Sequence, residues 1–440
     1  MRRISTVLAG MAVWMVVVHG VARTATLGAQ GNPAPQVILA GQVQDDPVRI
    51  LVGRLDLERY KASIKGLTQF GDRRQGTDRN RAANDWIEAQ LKSYGCSSVA
   101  RIKYDYNPPP RGTNTGAGRS GGTQAAAAAG GRGTLPPAAG QAQRGGRGGG
   151  RGAAPGRGNR GPTGVNNDSD KQPDPKLRAL DMEPTTPGPR DEVYCTKVGS
   201  LHPDEMYIVS AHMDGLGYGA AANDDGSGTA LVMEVARVLC ASDVQTDRSI
   251  RFALWNNEET GLNGARAYAE QRGPLQGKED PPGSGKYPEP KWLGMIAHDM
   301  MLFDHGMPGP DGKVGPEQRA EADVNIEFAA TSKMAAQAQQ LAWAFKTASD
   351  RYATDYPAFV GNRMSNTDSA AFQDLVASIS LREAERLSQV GMGWDPHWHQ
   401  PTDVFTTFSD RDFRLGLNAA QTTLAAVAQM TGATVATRQP

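Results

Sequence analysis

Apolar positions recur at helical spacing in some segments of the chain and alternate with polar positions in others. Ile87 and Leu91 lie on one helical face before Gly95, which predicts a helix over residues 79–94. The period then changes, because residues 98–104 alternate apolar with polar side chains as a strand does. The N-terminal part of the chain therefore contains both kinds of element.

Strand and helix patterns alternate from residue 190 to the C-terminus. Strands are predicted over residues 192–198, 206–211, 249–255, 292–297, 324–329 and 377–381, and helices over 228–240, 262–271, 333–349 and 410–430. This alternation builds a sheet with helices packed against it. The sequence therefore predicts one α/β domain with a single mixed, mostly parallel sheet and helices on both faces.

A long segment of low complexity interrupts this order between two predicted strands. Residues 108–189 consist mainly of Gly, Ala, Pro and Arg, with almost no large apolar side chain to build a core. Residues 111–160 contain eight arginines and no acidic residue, in Gly-Arg-Gly settings that resemble RNA-binding tails. We interpret the segment as a disordered insertion and not as a nucleic-acid site, because the N-terminus predicts export.

The N-terminus has the order of a secretory signal peptide. Arg2 and Arg3 precede an apolar stretch over residues 7–18, and small residues follow near Ala22 and Ala29. The stretch is shorter than the about 20 residues of a membrane-spanning helix. We expect cleavage there, a periplasmic or extracellular location and no stable membrane span. The predicted organisation is a signal peptide (1–29), the first part of the domain (30–107), the insertion (108–189) and the main part of the domain (190–440).

Charge and cysteine content narrow the function classes. The formal net charge of the 440-residue chain is zero, so no overall field favours nucleic acid or anionic lipid. Cys96, Cys195 and Cys240 form no C-x-x-C pair, which argues against a thiolate zinc site. Cys96 and Cys195 each border a predicted strand and could pair in an exported protein, but the odd count leaves the connectivity open.

Ionisable side chains lie directly after several predicted strands or in the turns beside them. They are His212 with Asp214, Asp224 with Asp225, Glu258 with Glu259, His298 with Asp299, and His397 with His399. Groups just past the carboxyl ends of strands face the usual ligand crevice of an open α/β sheet. Each acidic pair alone is equally well explained as a helix start. Together, the imidazoles and carboxylates predict a metal centre, since they suit zinc and its neighbours.

These motifs resemble metallopeptidase family 28, the zinc aminopeptidases with co-catalytic metals that include secreted bacterial enzymes. The matching stretch runs from about Tyr207 to Asp403. His399 is preferred to His397 as the late histidine, because Asp403 follows it at the family spacing. The resemblance implies Glu258 as the general base that activates water. The implied metal ligands are His212 and Asp299 on one Zn²⁺, Glu259 and His399 on a second Zn²⁺, and Asp224 as the bridge between them.

Some neighbouring residues are expected to support the centre without binding metal. These are Asp214, which could hold the second ring nitrogen of His212, together with Asp368 and Asp403. Many family members have Tyr before the late histidine, whereas this chain has Trp398, a candidate oxyanion or substrate contact through its indole nitrogen. The oxyanion donor is therefore not assigned.

The function predicted from these observations is that of a secreted metallo-aminopeptidase. It would hydrolyse N-terminal bonds of peptides with a free N-terminus, with two Zn²⁺ per chain and no nucleic-acid partner. Alternatives are a glutaminyl cyclase-like or carboxypeptidase-like member of the same fold, or a non-catalytic binding ectodomain. The complete ligand set and the presence of the base argue against the cyclase and the binding ectodomain.

Overall fold

A sheet of eight strands forms the centre of the structure that the described residues adopt, in the order β1-β2-β5-β3-β6-β9-β7-β8. The computed structural model describes residues 46–96, 98–107, 165–303, 324–362, 364, 367–383 and 395–436. The strands are β1 (Ala100–Tyr106), β2 (Gly188–Lys197), β3 (His202–His212), β4 (Val244–Gln245), β5 (Arg248–Trp255), β6 (Lys291–His298), β7 (Val324–Phe328), β8 (Ala358–Gly361), β9 (Ser378–Glu383) and β10 (Thr434–Val435). β4 and β10 form a separate antiparallel pair.

Helices cover this sheet, and the predicted ones are present with bounds shifted by a few residues at most. The helices are α1 (Pro47–Val52), α2 (Leu57–Thr68), α3 (Asp78–Ser93), α4 (Pro175–Asp181), α5 (Gly226–Leu239), α6 (Asn263–Arg272), α7 (Ala335–Tyr352) and α8 (Asp410–Met430). The sequence patterns did not predict α1, α2 and α4 or the short strands β4, β8 and β10. The predicted fold class is confirmed, because the sheet is mixed and its central strands are parallel.

The four central strands β5, β3, β6 and β9 run parallel, so their carboxyl ends share one edge of the sheet. His212 at the end of β3 is paired with Trp255 at the end of β5. Ala211 is paired with His298 at the end of β6. Residues that follow these strands are thereby brought together, as expected for a crevice at the carboxyl edge.

Apolar side chains of the central strands alternate between two hydrophobic cores. Val209 and Ala211 of β3 pack into the larger core with α5 and α8. Ile208, which precedes Val209, points into a smaller core that contains Tyr268 of α6 and Trp292. Because successive strand residues face opposite sides, this alternation shows that helices bury both faces of the sheet.

The C-terminal part of the segment predicted as a disordered insertion (108–189) is folded. Residues 165–189 are folded and include α4, a 3₁₀ turn at Ser169–Lys171 and the start of β2. Hydrogen bonds and not apolar contacts attach them: Asp181 accepts the backbone N–H of Asp72 at 3.0 Å, and the carbonyl of Leu180 accepts from Arg79 at 2.9 Å. The prediction of disorder from the lack of large apolar side chains was therefore wrong for residues 165–189. Residues 108–164 lie outside the described residues.

The cysteine pairing that the sequence left open is Cys96 with Cys195. The disulfide joins the end of α3 to β2, and Cys240 is a buried free thiol. The predicted signal peptide (1–29) lies outside the described residues. Among the described helices, none combines the length and apolar character needed to cross a bilayer.

Candidate metal centre

Five of the predicted site residues converge at the carboxyl edge of the central strands. His212 ends β3, and Asp299 directly follows β6. The Nε2 atom of His212 lies 3.7 Å from Oδ1 of Asp299 and 3.4 Å from Oδ1 of Asp224. We refer to His212 and Asp299 as the strand-end pair, because regular strands deliver both side chains to the site.

The other two predicted ligands come from irregular segments. Glu259 lies in the turn between β5 and α6, and His399 in the loop before α8. The Nε2 atom of His399 is 2.8 Å from Oε2 of Glu259 and 3.0 Å from Oδ2 of Asp224. We refer to Glu259 and His399 as the loop pair. The two carboxylate oxygens of Asp224 thus face different imidazoles, one from each pair.

The donor set fits divalent cations. Ligands at the 2.0–2.2 Å typical of zinc bonds to nitrogen and oxygen lie about 3.3 Å from one another in a tetrahedral shell, and the distances on each side of Asp224 are close to this value. Among the described residues, buried Oε1 of Glu259 has no hydrogen-bond partner. A buried carboxylate oxygen without a partner is costly, so a cation is the natural counterpart.

Without metal, the two imidazoles act as the counter-charges of the carboxylates. Burial by itself would lower the pKa of His212, but Glu258, Asp224 and Asp299 raise it well above its ordinary value. Burial likewise opposes a rise in the pKa of His399, which Glu259 and Asp224 nevertheless raise to about 11. The surrounding carboxylates therefore favour the protonated form of both imidazoles in the metal-free chain, and a metal would have to displace these protons.

Glu258 lies next to the ligands and is almost completely buried, with 9% exposure. Burial raises the pKa of its carboxyl group well above the ordinary value; His212 opposes this rise and Glu259 adds to it. Its backbone N–H donates to Oδ1 of Asp214 at 3.0 Å, which fixes the start of the turn. Perturbed carboxyl groups of this kind cluster at catalytic sites.

Asp225 accepts backbone hydrogen bonds through both of its carboxylate oxygens. Its Oδ1 accepts the N–H of Gly228 at 2.8 Å and that of Met300 at 3.2 Å, and its Oδ2 accepts the N–H of His212 at 3.3 Å. Asp225 is thus the N-cap of α5 and joins three segments of the site.

Asp214 and Asp403 support the site through the backbone. Asp214 contacts the second ring nitrogen of His212 through its backbone: Nδ1 of His212 lies 3.0 Å from the carbonyl oxygen of Asp214 and 3.8 Å from its carboxylate. The carboxylate of Asp214 accepts the backbone N–H of Glu258 and thereby holds the turn that begins there. Asp403 accepts the backbone N–H groups of Asn223 at 2.8 Å and Asp224 at 3.1 Å.

Two buried arginines and an asparagine belong to the site although the motifs did not identify them. Arg382, at the end of β9, donates to Oδ2 of Asp299 at 2.5 Å; burial tends to raise the pKa of Asp299, but Arg382 and His212 lower it below its ordinary value. Arg73 is fully buried and donates to the carbonyls of Met213 at 2.6 Å, Ala220 at 2.9 Å and Ala221 at 2.8 Å. It holds the loop that leads to Asp224.

Asn223 joins this loop to two further segments of the site. Its Nδ2 donates to Glu383 at 3.1 Å and to Asp395 at 2.9 Å. Its position just before the Asp224–Asp225 pair was the one signal in the sequence that could have identified it.

The remaining candidates lie beside the centre or away from it. Asp368 is buried, and burial raises its pKa to about 8. The rings of Trp398 and His399 are stacked with centroids 4.1 Å apart. His397 contacts Thr402 and is half-buried, and His298 is a core residue whose ring nitrogens contact Ser210 and Thr423. β6 directs the ring of His298 toward α8.

Comparison with known proteins gives a consistent result at the level of sequence. The model described as peptidase family M28 matches residues 193–422, slightly more than half of the chain. An aminopeptidase of Pseudomonas aeruginosa is 33% identical over 128 residues, which are 28% of this chain and 22% of that protein. Aminopeptidase YwaD of Bacillus subtilis is 45% identical over 69 residues, 16% of this chain and 14% of that protein. The matched stretches span less than a quarter of these relatives.

Solved structures share the fold. A zinc aminopeptidase from Bacillus subtilis superposes with a TM-score of 0.54 at 16% identity, over 88% of this chain and 97% of that chain. An aminopeptidase from an Aneurinibacillus species superposes with a TM-score of 0.52 at 17% identity, over 89% and 98% of the two chains. At this level of identity the likeness establishes the common architecture.

Proposed function

The chain belongs to peptidase family M28, and we propose that it is an exported aminopeptidase with a centre of two zinc ions. In this proposal the strand-end pair holds one ion, the loop pair holds the other, and Asp224 bridges them. The substrates are peptides with a free N-terminus, whose first peptide bond is hydrolysed.

One observation carries the proposal: the two oxygens of a single buried carboxylate each face an imidazole, and each imidazole is accompanied by one further carboxylate. His212 and His399 approach Asp224 at 3.4 and 3.0 Å from opposite sides. A helix cap or an ordinary ion pair needs one such partner and not a symmetric set. The arrangement is what two neighbouring divalent ions with a shared ligand require.

Two zinc ions bound there would polarise the scissile carbonyl and lower the pKa of a water molecule toward about 7. The carboxylate of Glu258 would take a proton from that water and deliver it to the leaving amine. Burial, which favours its protonated form, suits the second of these transfers. Trp398, which is stacked on His399, would contact the substrate.

The remaining parts of the proposal concern the organisation of the chain. We propose a signal peptide over residues 1–29, followed by one peptidase domain that is interrupted by an insertion ending before residue 165. The Cys96–Cys195 disulfide supports export, because disulfides form and persist mainly in oxidising compartments.

A panel of peptides with free and blocked termini tests the function. Peptides with a free N-terminus should lose their first residue, and acetylated versions should remain intact. Release of the last residue from acetylated peptides would instead identify a carboxypeptidase, and cyclisation of N-terminal glutamine a glutaminyl cyclase. No turnover of any peptide by the zinc-loaded protein would favour a binding protein.

Glu258→Gln is the matched test of the base. We expect turnover to fall about 10²–10⁴-fold, the usual contribution of a positioned acid or base, with zinc content unchanged. Glu270→Gln, an exposed change on α6, is the control. Full activity of Glu258→Gln would remove Glu258 from the mechanism.

A further inference from the structure

A folded segment within the predicted insertion range 108–189 lies against the candidate metal centre. We call residues 165–172 the strap. It carries two buried amide side chains, Asn166 and Gln172, with 6% and 2% exposure. Buried amides in a short, polar segment are costly unless their hydrogen bonds are satisfied, so their partners indicate what the segment does.

The partners of both amides lie in two loops that carry ligand residues. Nδ2 of Asn166 donates to the carbonyl of Gly217 at 3.2 Å, and its backbone N–H donates to the carbonyl of His399 at 3.0 Å. Nε2 of Gln172 donates to the carbonyls of Tyr218 at 2.6 Å and Pro401 at 3.0 Å. Each residue therefore bridges the loop before Asp224 and the loop that holds His399.

These two loops pack backbone against backbone. A Cβ atom on Gly217 would lie 2.3 Å from the carbonyl carbon of His399, and one on Gly219 would lie 2.5 Å from the carbonyl oxygen of Gln400. Because the backbones approach this closely, hydrogen bonds contribute to the relative position of the loops. Besides the strap, the N–H of Ala220 donates to the carbonyl of Asp403 at 2.8 Å, and the Asp403 carboxylate accepts the N–H groups of Asn223 and Asp224.

His399 itself needs such support. Its backbone has φ of 54°, a left-handed conformation that residues with a Cβ adopt only when their surroundings impose it. The bond from Asn166 to its carbonyl acts on this residue. The strand-end pair has no comparable need, because His212 is held in the β3 ladder and Asp299 follows β6 directly.

From these contacts we infer that Asn166 and Gln172 are positioning residues that set the affinity of the loop pair for its metal ion, and that they leave the strand-end pair unaffected. The inference rests on the proposed two-metal function. It assigns a role to a segment whose composition alone suggests none.

Gln172→Met and Asn166→Leu test the inference, since both remove the side-chain donors at nearly constant volume. Gln271→Met and Asn167→Leu are the matched controls. Both amides are exposed: Gln271 donates to the carbonyl of Lys103, far from the ligand loops, and Asn167 donates to the carbonyl of Val165 within the strap. Zinc is withdrawn from the purified holoenzyme by a graded chelator titration, and the ions remaining per chain are counted. We expect the loop-pair ion, which should be the more weakly held of the two, to leave at an about tenfold lower chelator concentration in the two strap variants. The strand-end ion should leave at the same chelator concentration as in wild type.

The same substitutions in a His399→Ala background assign the effect to one pair. There the loop pair is disabled, and Gln172→Met should no longer change the affinity of the remaining ion. A change of the same size in that background would overturn the inference, because it would show a general loosening of the centre. Wild-type release of both ions from Gln172→Met and Asn166→Leu would overturn it as well.

Amide hydrogen exchange separates this inference from the proposed function. A peptide covering residues 395–403 should exchange faster in the strap variants, by up to about tenfold for one lost hydrogen bond, with or without zinc. Wild-type chain that binds fewer than two ions would refute the two-metal proposal. Unchanged exchange of this peptide in both strap variants would refute the strap inference whatever the stoichiometry.

Discussion

The strand-end pair and the loop pair present the same chemistry, one imidazole and one carboxylate, on different kinds of structure. Strand pairing fixes His212, and Asp299 follows the neighbouring strand and is held by Arg382. His399 lies in a loop with a left-handed backbone, and its partner Glu259 lies in a turn. The first pair is therefore positioned by the fold, and the second by hydrogen bonds between irregular segments.

This difference shows two ways in which a protein can position the residues of one site. Ligands on strands inherit the rigidity of the sheet, whereas ligands on loops need a supporting layer of their own. Asp224 joins the two, and Asp403 and Arg73 hold its loop from behind. We expect the strand-end ion to be held more tightly, and the following changes test that asymmetry from the largest effect to the smallest.

Asp224→Ala should impair metal binding by both pairs. It removes a ligand from both pairs, so bound zinc should fall below one ion per chain and turnover by about 10³-fold or more, since metal ions contribute several kcal/mol to such reactions. Metal analysis together with an aminoacyl-arylamide assay measures both. Asp204→Asn, a partly exposed acidic residue in β3, is the control, and two tightly held ions in Asp224→Ala would contradict the bridge.

His399→Ala and His212→Ala should separate the pairs. Each loses one imidazole, so each should retain one ion and lose more than about 10²-fold of its turnover, because a single ion cannot both hold the substrate and supply the water in the same geometry. The ion retained by His399→Ala should be the tighter one. Equal affinities in the two variants would show that strand and loop placement are equivalent.

Arg382→Met should weaken only the strand-end pair. Removing the partner of a ligating carboxylate typically costs 10–100-fold in affinity, and Arg382 donates to Oδ2 of Asp299. A chelator titration should show the tighter ion leaving earlier, with the loop-pair ion unchanged. The opposite order of effects would mean that Arg382 supports the loops. A thermal melt checks that the chain remains folded.

The smallest effect is that of pH on zinc uptake. The pKa of His399 is raised to about 11 and that of His212 is also raised, so the metal-free chain favours the protonated form of both imidazoles at neutral pH. Zinc requires the neutral form, so binding at pH 7 should release protons and affinity should increase with pH. Calorimetry in buffers of different ionisation enthalpy measures this release. Binding without proton release would show that zinc does not displace protons from the imidazoles.

The sequence was most informative where period and chemistry coincide. Apolar strands that end in His212, Glu258 or Asp299 could be recognised because burial dictates the period and the parallel sheet dictates where strand ends meet. The same rule could have identified Arg382 at the end of β9, since it too follows a buried run. The bounds of α8 were predicted correctly because Ser409 and Asp412 form a capping box there.

The sequence was least informative where the contacts are polar and distant along the chain. Asn166 and Gln172 lie in a segment with one apolar residue, Val165, and their acceptors are backbone carbonyls about 50 to 230 residues away. Arg73 likewise binds only carbonyls. Nothing in composition or spacing distinguishes an amide that bridges two loops from one in solvent, so this supporting layer required the structure.

Stepwise zinc loading of the metal-free chain is the most direct test of the central claim. Bound zinc and turnover of an aminoacyl-arylamide are followed together as zinc is added. The account predicts two ions per chain with unequal affinities, the tighter one retained in His399→Ala. A single ion per chain, or a tighter ion that is lost with His399, would contradict it.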